Sequence, residues 1–81
     1  MKEDIFSKLH EAMLAYDEEN VKKIVMKSID ERINPIETVE VLTKSISEIG
    51  DMFQNGELWL PDLMLAAKSM EAGILPLKKE I

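Results

Sequence analysis

Residues 50–67 read GDMFQNGELWLPDLMLAA, and how this stretch folds decides how the rest of the chain is arranged. Ahead of the turn, Ile46, Ile49 and Phe53 recur at helical spacing; beyond it, Leu60, Leu63 and Ala67 resume the same rhythm. Gly56 is a natural left-handed stop for the first helix, and Pro61 suits the first turn of the second. The stretch is therefore a corner between two helices. It is unusually apolar for a corner, because Met52, Leu58, Trp59, Met64 and Leu65 crowd around the same turn. One bundle end cannot bury so many large side chains, and a sizeable apolar patch on a small domain marks a ligand or partner surface. Methionines in such a patch adapt readily to the shape of whatever covers it.

The helical period extends through the whole chain, and no segment alternates with the period of a strand over a useful length. Ile5, Phe6, Leu9, Met13 and Tyr16 mark a first helix, which the polar run DEEN interrupts. Val21, Ile24, Val25, Ser28 and Ile29 mark a second. Asn34, Pro35 and Glu37 then form an N-x-x-E capping box with proline at the first helical position. The third helix carries Ile36, Val39, Leu42, Ile46, Ile49 and Phe53 on its stripe. The fourth carries Leu60, Leu63, Ala67, Met70, Ile74, Leu77 and Ile81, with Pro76 predicting a kink or an early stop near Leu75. These patterns predict an all-α protein: an antiparallel four-helix bundle with helices near residues 3–16, 19–32, 35–55 and 60–80, forming a single domain over 1–81.

Composition limits the chemistry. A chain of 81 residues with 46% apolar content can build one small core without metal or disulfide staples. The absence of cysteine excludes disulfides, a thiolate zinc site and a cysteine nucleophile. A formal charge of -6 with no basic stripe argues against nucleic-acid binding, which draws its affinity from Lys and Arg neutralising phosphates. Charges throughout MKEDIFSKLHEAM argue against a signal-peptide core, and no apolar run reaches the roughly 20 residues of a membrane span, so a soluble cytoplasmic protein is expected. His10 is the one histidine; the second histidine of an H-E-x-x-H zinc helix would fall at Leu14, and a di-iron bundle needs two Glu-x-x-His pairs. The acidic residues read as a solvated face. No catalytic residue and no metal ligand is expected, and the chain is not expected to be an enzyme on its own.

The run G-D-x-F-x-x-G-E-x-x-L-P-x-L, here Gly50, Asp51, Phe53, Gly56, Glu57, Leu60, Pro61 and Leu63, followed by Ala66, Ala67 and Met70, resembles the helical cap module of corrinoid (cobalamin-binding) methyltransferase proteins. That group includes the cap domain of cobalamin-dependent methionine synthase and the N-terminal domains of the small corrinoid proteins serving methylamine, methanol and methoxy-aromatic methyltransferases. The resemblance spans the chain and is closest over the last two helices. It implies a cap over the upper face of methylcobalamin in methyl transfer from a small methylated donor to an acceptor such as a folate or thiol. The cofactor-binding residues it implies are Phe53, Leu60 and Leu63, packed around the cobalt-bound methyl group. An apolar lid of this kind excludes water and offers the metal no competing ligand.

Complete members of that group continue into an α/β domain with a D-x-H-x-x-G motif, which this sequence lacks. The chain is accordingly expected to be a piece of a longer protein. The expected partners are that α/β corrinoid-binding domain, a substrate-specific methyltransferase and an acceptor methyltransferase. With its apolar end uncovered, the isolated chain is expected to form a homodimer through that end or the adjoining helix faces. Two alternatives carry different functions. Light-sensing cobalamin regulators have a related cap with Trp at the Phe53 position and Glu-His where this chain has Leu63 and Met64. A helical protein-interaction or oligomerisation module would instead use the patch to bind a protein.

Overall fold

Short polar side chains set where the helices start. In the computed structural model, which describes residues 2–81, Asp17 accepts a hydrogen bond from the Asn20 amide at 3.1 Å, and Asn34 accepts one from the Ile36 amide at 2.9 Å. Each satisfies an amide that has no partner within its helix. The helices are α1 (Lys2–Leu14), α2 (Glu18–Asp30), α3 (Pro35–Gln54) and α4 (Leu60–Lys78), with no strand among the described residues. The all-α four-helix bundle and its boundaries agree with the sequence to within about two residues at each helix end.

The first three helices end alike. The amides of Tyr16 and Asp17 donate to the Met13 and Ala12 carbonyls, those of Arg32 and Ile33 to Ile29 and Ser28, and those of Gly56 and Glu57 to Phe53 and Met52. This is the Schellman arrangement, and it requires a left-handed residue at each stop. The φ values are 56° at Tyr16, 58° at Arg32 and 80° at Gly56. Only the glycine adopts this conformation without a steric cost to Cβ.

Helices adjacent in sequence run antiparallel, but the ring order is α1, α2, α4, α3. Helices α2 and α4 share the most extensive contact, whereas α2 and α3, like α1 and α4, lie across the diagonal. Lys2 reaches Glu37 and His10 reaches Glu48, so α1 and α3 run parallel. The link from α2 to α3 therefore crosses the bundle end diagonally.

The core consists of Leu9, Ala12, Met13, Val21, Val25, Leu42 and Leu77, flanked by half-buried Ile24, Val39, Ile46, Met70 and Ile74. Two predicted stripes are rotated. In α3 the fully buried positions are Thr38, Leu42, Ser45 and Ile49, while Ile36 is exposed. In α4 they are Ala66, Ser69, Gly73 and Leu77, while Ala67, Leu60 and Ile81 are exposed. Small side chains let the helix backbones approach closely, and they occupy the contact for that reason. The buried hydroxyls carry little polar cost: Ser28 donates to the Val25 carbonyl at 2.6 Å, Ser45 to Val41 at 2.8 Å and Ser69 to Leu65 at 3.1 Å.

Two local expectations are also corrected. Glu37 does not close a capping box with Asn34; its carboxylate takes the Lys2 ammonium at 2.9 Å instead. That contact, first through its hydrogen bond and then through charge, raises the Lys2 pKa. Pro76 does not stop α4, which continues to Lys78 with Leu77 fully buried. Ala72, whose carbonyl loses its amide partner to the proline, and Pro76 both line an open surface groove.

Candidate functional site

The C-terminal turns of α1 and α3 and the first turns of α2 and α4 form one end of the bundle. Phe53 sits in the last turn of α3 and Leu60 is the first residue of α4. Leu63 follows one turn later, half-buried. Leu60 is 58% exposed and Trp59, just before it, 77% exposed; Phe53 and Met64 are also exposed. The corner identified in the sequence thus turns large apolar side chains outward. Leu63 differs from Leu60 in being half-buried.

This exposure follows from the rotation of α4. Because Ala66, Ser69 and Gly73 are fully buried, Gly73 against Val21 and Val25 of α2, positions elsewhere around the helix, among them Met64 and Leu65, face outward. The loop before α4 is held by a local hydrogen bond, in which the Trp59 amide donates to the Asp62 carboxylate at 3.0 Å. Trp59 is therefore fixed at the backbone while its side chain stands in solvent.

Two residues of this end were not assigned to the site from sequence: Leu14, which is exposed, and Tyr16, which is half-buried. Tyr16 reads as the last apolar position of the first stripe, but the helix ends at Leu14 and Tyr16 occupies the left-handed stop. Its phenol pKa is raised, first by burial and second by the negative charge of Asp62. The DEEN break was the available signal, since it places the end of α1 beside the corner at residues 50–67.

The end suits an apolar partner better than a metal ligated from this chain. Its exposed large side chains are hydrocarbon, thioether and indole, with the Tyr16 phenol half-buried beside them. His10 lies on the α1–α3 flank, where Nε2 pairs with Glu48. Among the described residues, no group of three or more His, Cys, Asp or Glu side chains is placed to hold a metal ion. No helix among the described residues is long and apolar enough to cross a membrane.

The family described as B12 binding domain matches residues 5–78. Over 81 residues the chain is 32% identical to trimethylamine corrinoid protein 1 of Methanosarcina mazei, covering 99% of this chain and 38% of that protein. It is 33% identical over 78 residues to a corrinoid protein of Desulfitobacterium hafniense, covering 95% of this chain and 36% of the relative. It is 35% identical, again over 78 residues, to the dimethylamine corrinoid protein of Methanosarcina barkeri, covering 95% and 36%. The chain thus spans well under half the length of these curated relatives.

Proposed function

Because the chain belongs to the B12 binding domain family, we propose that it is the helical lid of a corrinoid protein, covering the upper face of methylcobalamin during methyl transfer from a small methylated donor to an acceptor such as a folate or thiol. A methylamine is the donor favoured by the names of the relatives. The observation that carries this reading is the apolar bundle end, where Phe53, Leu60 and Trp59 stand in solvent next to half-buried Leu63.

Bound cobalamin would supply the cobalt that carries the methyl group. Phe53, Leu60 and Leu63 would form the surface facing it. Their hydrocarbon and aromatic faces exclude water and provide no donor atom for a metal, so they shield without coordinating. The lid has to move aside for donor and acceptor, which calls for a rigid body rather than a pliable loop. The Schellman stop at Gly56 and the Trp59–Asp62 hydrogen bond provide that rigidity at the corner. Methyl transfer itself belongs to partners: an α/β corrinoid-binding domain that holds the cofactor, a substrate-specific methyltransferase and an acceptor methyltransferase.

The test is a chimera in which this chain replaces the segment it matches in the Methanosarcina mazei relative. Light-induced loss of methylcobalamin should be slower in the chimera than in the same protein lacking the segment. Replacing Phe53 and Leu60 by Ser should restore fast loss while leaving cofactor retention intact. Equal rates with and without the segment would reject the lid.

A further inference from the structure

Helix α4 has two unlike faces. The inner one, Ala66, Ser69, Gly73 and Leu77, is fully buried. The outer one carries Pro61, Met64, Lys68, Glu71, Leu75 and Lys78 at alternating intervals of three and four residues, the period of a coiled-coil seam. Met64 is 63% exposed and Leu75 56%, and Met26 of α2 lies exposed alongside. Within the bundle this seam has no partner.

We propose that the outer face of α4 pairs with the same face of a second copy of this chain, the two helices running antiparallel about a twofold axis between Lys68 and Glu71. A twofold contact must be self-complementary, because each residue meets its counterpart's neighbour across the axis. This face meets that condition. With the axis between Lys68 and Glu71, each Lys68 stands opposite Glu71 of the second copy, each Met64 opposite Leu75, and each Pro61 opposite Lys78. Both apolar side chains meet apolar side chains, and the central charges meet their opposites twice. A one-turn slip in one direction would set Lys68 against Leu75 and bring the two Glu71 carboxylates together, and in the other direction it would bring the two Lys68 ammonium groups together, so the charge pair fixes the register. The selection of a second copy rests on this charge complementarity. The seam excludes Phe53 and Leu63, so the pairing is independent of the lid.

Two experiments test it on the 81-residue protein. Sedimentation over a range of concentrations should show a monomer–dimer equilibrium. Lys68→Glu and Glu71→Lys should each weaken the dimer by about ten- to a hundredfold, because each sets like charges across the axis. The combined exchange should restore the original affinity. Both residues are outside the core, and an unchanged thermal midpoint in each variant confirms that folding is intact. In the second experiment, Met64→Cys and Leu75→Cys chains, made in a protein otherwise free of cysteine, should form a disulfide with each other when mixed and oxidised, and neither should cross-link to itself. Positions 64 and 75 lie about 16 Å apart along a helix, well beyond the roughly 7 Å that a disulfide bridges between Cα atoms. A protein that stays monomeric, a dimer indifferent to the charge changes, one the exchange does not restore, or Met64→Cys cross-linking to itself would each overturn the proposal.

Discussion

A β-carbon on Gly73 would stand 3.0 Å from Val21 Cγ1, closer than the great majority of β-carbon contacts in proteins. It would also lie 3.2 Å from Leu42 Cδ1 and 3.3 Å from Val25 Cγ2, all three neighbours being fully buried. The packing of α2 against α4 is set by this contact.

Gly73→Ala should therefore destabilise the fold. The alanine gains about 1 kcal/mol of helix propensity, but overpacking a tight core costs about 1–3 kcal/mol. A net loss of about 1 kcal/mol is expected by urea denaturation. Gly50 is the control, since a β-carbon there meets nothing within 4 Å. Gly50→Ala should stabilise by about 0.5–1 kcal/mol, and the two substitutions should shift the midpoint in opposite directions.

Arg32 holds a left-handed conformation with φ 58° and is exposed. Arg32→Gly removes the Cβ strain at the end of α2 while keeping its amide hydrogen bond to Ile29. Thermal unfolding should show a gain of about 1 kcal/mol, reduced somewhat by the greater freedom of glycine in the unfolded chain. A loss would mean that the arginine side chain stabilises more than its backbone strain costs.

Tyr16 is the one tyrosine, so phenolate absorbance reports on it directly. Its pKa is raised above 10.0, so in alkaline solution the folded state retains a proton that the unfolded state has lost. The associated stability is full below the unfolded value and is lost as pH rises through the folded one. Stability should fall above about pH 10 more steeply in the native protein than in Tyr16→Phe. The raised Lys2 pKa acts in the same direction but is common to both proteins, so it cancels in the comparison. An absorbance midpoint at or below 10 would contradict the burial of the phenol.

Leu60 and Leu42 separate lid from core. Leu60→Ala should change stability by less than about 1 kcal/mol, because more than half of that side chain is already in water. Leu42 is fully buried, and Leu42→Ala should cost about 2–5 kcal/mol through lost burial and a cavity. A loss of the larger size at Leu60 would place it in the packing and remove it from the surface proposed to meet a cofactor.

The sequence by itself determined that there are four helices, where they turn, and that the corner at residues 50–67 is too apolar to be an ordinary loop. Those features are local. Helical period, the proline at position 35, the cap at Asn34 and the stop at Gly56 act within a few residues of themselves. The motif around Phe53, Leu60 and Leu63 was likewise legible, because its spacing is carried by one continuous stretch.

Tertiary structure decided which side of each helix is buried. An apolar stripe drawn at alternating three- and four-residue spacing assigned Leu60, Ala67 and Ile81 inward, yet α4 buries Ala66, Ser69 and Gly73. Hydrophobicity ranks single residues, whereas burial depends on how closely two backbones can approach, and that is limited by the smallest side chains on both. Glu37 shows the same limit with charge: its nearby cap at Asn34 competes with Lys2, which only the parallel alignment of α1 and α3 brings within reach. The outward placement of Leu60 at the start of α4, and with it the surface proposed to meet a cofactor, goes with the side of that helix that Gly73 packs against α2 about three to four turns further along.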